Sequence, residues 1–208
     1  MKHLILIIIS FLTLSCKGQN QEFVIYLSKF RSVELPLTVD RKTYSTIFYP
    51  NKINHEIIEN LVKEFICNDS TNYSVNSTEY RYDYGVKFAL GDYHVVLVHK
   101  QKYEGTTPYD FDLSEVVLIV YSKQGRILSS QSISKDNDGW ISSTQITREN
   151  IEVQQIKILE FNKSEMNSKI ETKVYQIARN GIINNIRTEP IKKGIVIWDE
   201  QIEDFKLK

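Results

Sequence analysis

The chain has 208 residues, 41% of them hydrophobic and 11% aromatic, which is material for one hydrophobic core and about the size of one domain. Lys and Arg number 26 and Asp and Glu number 26. That balance provides no overall basic field to gather nucleic acid or an anionic membrane, and no nucleic-acid partner is expected.

The amino terminus has three zones. Lys2 and the free amine are positive, Leu4 to Leu14 is apolar apart from Ser10 and Thr13, and Ser15 is small. This order is that of a signal peptide, and the apolar zone falls short of the ~20 residues of a membrane-spanning helix. Thr13-Leu14-Ser15-Cys16 resembles the lipobox of bacterial lipoproteins, in which a small residue precedes a Cys, although Thr13 stands where that family usually has Leu. The resemblance implies that Cys16 is acylated and becomes the new terminus. An ordinary secretory signal whose cleavage site lies near a cysteine is the plainer alternative. A single acyl chain binds only reversibly, whereas several would hold the protein firmly to a membrane. Residues 1–15 are then the signal peptide, 16–21 the acylated Cys and a short polar tether, and 22–208 a single β-rich domain. Lys17 is not the Asp that the family associates with inner-membrane retention, so the outer membrane is preferred. Loss of Lys2 from the 26 basic residues leaves 25 against 26 acidic ones. With Cys16 acylated, Cys67 has no partner in the chain, and the domain relies on its core in place of a disulfide.

One helix is predicted, over residues 54–67. Ile57, Ile58, Leu61, Val62, Phe65 and Ile66 recur at three- and four-residue spacing, opposite Glu56, Glu59, Lys63 and Glu64. Asn54 suits the N-cap, Asn68 a stop, and Glu59 and Lys63 an i,i+4 pair. Cys67 reads as a small boundary residue.

From about Thr78 the pattern is that of strands. Thr78, Tyr80, Tyr82, Tyr84, Val86, Phe88 and Leu90 alternate with Glu79, Arg81, Asp83, Gly85, Lys87 and Ala89. Gly91-Asp92 suits a two-residue hairpin loop. That loop sets a register of Leu90 opposite Tyr93, Phe88 opposite Val95, Val86 opposite Leu97 and Tyr84 opposite His99, with Asp83 across from Lys100 on the other face. One face is then apolar and the other carries matched charge. Val116 to Tyr121 is a continuous apolar run of the kind buried on both faces. It leads through Lys123-Gln124-Gly125 to Ile127 and Leu128. Trp140 to Ile146 and Ile151 to Phe161 supply further strands. Val174 to Ile177 turns at Asn180-Gly181 into Ile182, Ile183 and Ile186, and Ile195 to Trp198 adds a last strand before a charged tail. The expected fold is mainly β to α+β: an antiparallel meander of about eight to ten strands, as a curved sheet or sandwich, with one amphipathic helix.

Catalytic patterns are incomplete. His94 and His99 lie an odd number of residues apart on one strand and point to opposite faces, so they cannot share a metal. His55-Glu56-Ile57-Ile58-Glu59 begins like a zinc-hydrolase helix but has Glu59 where the second histidine belongs. Asp136-Asn137-Asp138-Gly139 suggests a calcium loop, yet Ser134 and Gln145 stand at its two strongest ligand positions, and a hairpin turn explains it better. No nucleophile elbow, phosphate loop or dinucleotide fingerprint occurs, and no cofactor or metal is expected. The serines from Ser129 to Ser143 read as solvent-facing strand positions.

The suggestive surface is the file Tyr80, Tyr82 and Tyr84, with Tyr103 and His99 facing it and the loop bearing Tyr109, Asp110 and Asp112 at the same end. Tyrosines offer large area with a polar tip, as recognition surfaces require; they also suit the wide end of a core, where hydroxyls reach water. Two functions remain, with a purely structural envelope component trailing them. One is a lipid-anchored envelope protein whose domain binds a protein or glycan, an immunity-type role included. The other is an envelope hydrolase whose site is assembled from separate strands, with Asp110, Asp112 and His99 as candidates.

Overall fold

In the computed structural model the described residues are 21–48, 51–54, 57, 61, 80–103, 111–136, 139–160, 164–201 and 204–208. The signal peptide, Cys16 and the tether therefore lie outside them, as does most of the helix expected over 54–67. Of that helix Ile57 is helical and Leu61 buried, and both pack on the core.

The fold is mainly β, as the alternation and turn residues predict, and its antiparallel sheet is curled into a half-barrel. Twelve strands occur among the described residues, more than the eight to ten expected. They are β1 (Arg31–Ser32), β2 (Leu37–Val39), β3 (Tyr80–Leu90), β4 (Tyr93–Tyr103), β5 (Phe111–Tyr121), β6 (Ile127–Asp136), β7 (Trp140–Ile146), β8 (Ile151–Ile158), β9 (Glu165–Ile177), β10 (Ile183–Thr188), β11 (Lys192–Asp199) and β12 (Asp204–Leu207). The charged tail thus carries a strand of its own, β12, paired with β11. Five strands form one sheet in the order β1-β3-β4-β5-β6, and seven form a second in the order β12-β11-β9-β8-β7-β2 with β10 also on β9.

Two helices were not expected. In α1 (21–28), Phe23, Tyr26 and Leu27 are buried, with Phe30 just beyond, the i, i+3, i+4, i+7 spacing of one helix face. The second, α2 (Arg41–Ile47), starts at a capping box: the Asp40 carboxylate accepts from the Thr43 N–H, and the Thr43 hydroxyl accepts from the Asp40 N–H.

The central strands β4 and β5 are covered on both sides, which is why Val116 to Tyr121 is apolar without alternation. Val96, Val98, Val117, Ile119 and Tyr121 meet α1, while Val95, Leu97, Val116, Leu118 and Val120 meet Val39, Ile146, Ile151 and Val153 of the second sheet.

The β3–β4 register is as expected at the turn, where Leu90 pairs with Tyr93 and Phe88 with Val95, and Gly91 has φ +59°. Beyond it the expectation fails. The register shifts between Tyr84 and Lys87, so that Tyr84 pairs with Val98 rather than His99, and Asp83 with His99 rather than Lys100. Gly85 explains the site of this β-bulge: a Cβ there would lie 2.4 Å from the Phe48 ring and 2.5 Å from the Leu97 carbonyl oxygen. In consequence Tyr82 and Tyr84 face α1, whereas Val86 and Phe88 face the second sheet. The single apolar face expected for β3 is split between both sides.

The second sheet also changes its buried face, here without a bulge. Register is continuous from β7 through β8 to β9, so Ile151 and Val153 project opposite to Ile156 and Ile158. The first pair joins the core between the sheets; the second joins a smaller cluster with Met166, Ile170, Val196 and Phe205.

Hydroxyls join the sheets where no ladder does. Asp136 to Gly139 connects β6 to β7, which belong to different sheets, so it closes no paired hairpin; residues 137 and 138 lie outside those described. The Ser142 hydroxyl accepts from the Lys135 N–H at 2.9 Å and donates to the Lys135 carbonyl at 2.7 Å, and Thr144 donates to the Ile133 carbonyl. Ser134 and Ser142 are buried, against the expectation of solvent-facing serines. Ser129 extends the seam, donating to the Gly181 carbonyl and accepting from the Ile183 N–H.

Candidate functional site

A polar cluster lies where Tyr44 and Phe48, at α2 and its C-cap, pack on His99 of β4, and the bulge in β3 sets Asp83 opposite that histidine. His99 on β4 and Ser114 on β5 project from the face opposite the tyrosines, and His99 Nε2 lies 2.9 Å from Ser114 Oγ. The Tyr44 hydroxyl, brought by α2, is 2.7 Å from the same Oγ. Its ring meets the imidazole edge-on at 4.7 Å, and Phe48 packs at 5.1 Å. Asp83 is the cross-strand partner of His99, but its carboxylate is held by Arg81, whose Nε and Nη2 donate to Oδ1 at 3.0 and 2.9 Å. The segment 51–53 covers this edge of β3: Ile53 N–H donates to the Tyr82 carbonyl and Tyr84 N–H to that of Asn51.

Serine, histidine and aspartate on neighbouring strands suggest nucleophilic chemistry, and the Ser–His distance is within the reach such pairs need. The electrostatics oppose it. Burial, and then the Arg81 charge, push the His99 pKa down to about 3. A base works best with a pKa near the operating pH, and the carboxylate that could orient this one is committed to Arg81. His99 is also only 3% exposed. The cluster's evident work is to knit α2 onto the sheet.

Of the expected tyrosine surface, the members that can be placed, Tyr82, Tyr84 and His99, do not share one face. Tyr82 and Tyr84 are buried against α1, Tyr84 with ring centroids 5.0 Å from Phe30 and 5.8 Å from Tyr26, and burial raises its pKa. His99 points to the other side of the sheet, so it does not face them; the one-residue shift at Gly85 is the reason. Tyr109 and Asp110 lie outside the described residues, as do the side chains of Tyr80, Tyr103 and Asp112. His94 and His99 do point to opposite faces, His94 packing on Phe23 at 5.9 Å. Sequence reasoning missed Tyr44, Arg81, Asp83 and Ser114; Gly85 inside a run of bulky strand residues was the available signal.

Several exposed apolar side chains lie on and beside the last three strands. Ile186, Ile191, Ile195, Trp198 and Leu207 are exposed, Ile191 at 63% and Trp198 at 47%. Trp198 and Phe205 are paired across β11 and β12 with rings edge-to-face at 5.0 Å, and the Arg41 guanidinium lies 5.7 Å from the Phe205 centroid. Val196 pairs with Leu207 beside them, so the four side chains share one face.

Other features are modest. A shallow depression, open to solvent, is lined by Phe88, Leu90, Ile146, Arg148 and Ile177 among others. Among the described residues no three of His, Cys, Asp and Glu converge as a metal ion requires, and no helix is long and apolar enough to cross a membrane. No family model, curated protein or solved structure matches the chain.

Proposed function

We propose that this chain is a lipid-anchored envelope protein whose β domain binds a macromolecular partner, a protein or a glycan. The anchor rests on Thr13-Leu14-Ser15-Cys16 after a short apolar leader, with the outer membrane preferred. The observation that carries the binding role is the half-exposed Trp198, edge-on to Phe205 and beside the exposed Leu207 on one face of β11 and β12. An exposed aromatic anchor with apolar neighbours is what partners bury. An immunity-type role, in which the partner is a toxin, is one form of this reading. Two measurements test it. Metabolic labelling with a clickable fatty acid is expected to mark the parent and not Cys16→Ala, and equal labelling removes the anchor. Trp198→Ser is expected to lose the partner that the parent chain captures from envelope extract, while retaining the parent's thermal transition.

The hydrolase reading is favoured by one observation, the 2.9 Å contact between His99 and Ser114. A fluorophosphonate probe that labels the parent chain and not Ser114→Ala decides for it; absence of labelling decides for the binding module.

A further inference from the structure

The helix α1 has one buried face and one that nothing among the described residues covers. Phe23, Tyr26 and Leu27 are buried, whereas Val24 and Ile25 on the other side are 59% and 53% exposed. Adjacent exposed β-branched aliphatics are an odd choice for a helix surface facing water, since they lower helix propensity without burying area. The sequence places them eight and nine residues after Cys16.

Around this face the surface is cationic, although the whole chain is balanced. Lys29 is exposed at the end of α1. Lys87 donates to the Leu27 carbonyl at 2.6 Å, a cation at the helix C-terminus. The β5–β6 turn abuts the helix start, for a Cβ on Gly125 would lie 2.5 Å from the Phe23 ring, and this turn carries the exposed Lys123 and Arg126. Burial first, then Lys87 and Lys123, lower the pKa of His94 beneath α1. Against these four cations stand Glu22 and Asp92, the latter paired with Lys123.

We infer that the outer face of α1 docks on an anionic phospholipid surface, Val24 and Ile25 entering the boundary between headgroups and acyl chains while Lys29, Lys87, Lys123 and Arg126 meet the phosphates. This inference rests on the reading of Cys16 as the acylated residue. Two apolar side chains with a basic rim are the makings of an interfacial helix, and each cation near an anionic leaflet adds to the attraction. Tether length supplies the orientation. Five residue steps from Cys16 to Gln21 reach at most about 18 Å, while a domain of this size has a radius of gyration of about 16 Å. The anchor therefore cannot reach the far side of the domain, and the surface beside the tether is the one presented to lipid.

The test uses the full chain purified in acylated form and placed in phosphatidylethanolamine–phosphatidylglycerol nanodiscs containing a gadolinium-headgroup lipid, with isoleucine δ1-methyl groups observed by NMR. Ile25 is expected to relax at least five times faster than Ile186 on the β10 edge, and at least five times faster than in nanodiscs without gadolinium. Intact mass reports the state of Cys16 on the same sample. An unmodified Cys16 overturns anchor and docking together. An acylated Cys16 with Ile25 relaxing no faster than Ile186 overturns the docking alone.

Discussion

Tyr84 and Val86 sit two residues apart on β3 and project from opposite faces of the sheet, because the bulge between them advances the strand by one residue against β4. Without it the tyrosines would enter the space between the sheets and Asp83 would oppose Lys100. With it, α1 gains an aromatic bed and His99 gains its polar neighbours. Gly85 makes this possible by having no side chain where Phe48 and the Leu97 carbonyl approach.

Gly85→Ala is expected to destabilise the domain by roughly 1–3 kcal/mol, since the Leu97 carbonyl is backbone and cannot swing aside. Urea unfolding should show a lower midpoint with an unchanged m-value. Gly91→Ala, at a turn with open space and φ +59°, meets no atom within 4 Å and tests backbone strain alone.

His99 makes stability depend on pH in a stated direction. Unfolded, it takes a proton near pH 6.5; folded, only near pH 3. The unfolded state therefore binds more protons in that window. Stability is full above pH 6.5 and falls as the pH drops to about 3, with a slope approaching about 1.4 kcal/mol per pH unit from this one group. His94, also lowered, adds to the same trend. His99→Asn should flatten the slope in urea titrations at pH 4 to 7, and His94→Gln should change it less.

The buried hydroxyl pair beneath α1 is a second sensitive point. The Tyr121 hydroxyl donates to the Leu61 carbonyl at 2.8 Å, which leaves Tyr26 as the donor in their 3.2 Å contact. Tyr121→Phe strands both partners and should cost about 1–3 kcal/mol. Burial raises both phenolic pKa values, so the unfolded state ionises first and stability should fall as pH rises above 10.

At the seam between the sheets, Ser142→Ala removes the partner of both Lys135 backbone groups, and Thr144→Val that of the Ile133 carbonyl. Each should cost about 1–3 kcal/mol. Hydrogen exchange at the Lys135 amide is expected to speed up in Ser142→Ala and not in a Ser130→Ala control.

Much of the sheet was legible from local signals. Gly91, Gly125 and Gly181 mark turns and all have positive φ, and the unbroken run Val116 to Tyr121 announced a strand covered on both faces. The bulge was not legible, because its cause is an approach of Phe48 from a distant segment that alternation within β3 cannot report. The helix α1 hid behind the polar tether although Phe23, Tyr26, Leu27 and Phe30 carry its period. The cluster around His99 was illegible for the same reason as the bulge. Ser114 and Tyr44 are 70 residues apart, and only the fold brings their hydroxyls to 2.7 Å.

The way α1 is attached has a mechanical consequence. Strands are secured edge to edge, so separating one means breaking a series of backbone bonds together. α1 is held by side-chain packing, the Tyr26–Tyr121 hydroxyl contact and the Lys87 cap, with no strand paired along it among the described residues. Any tug on the amino terminus is thus felt first by the most detachable element, which can peel and reseat like a strain-relief loop on a cable while the sheets behind it remain undisturbed.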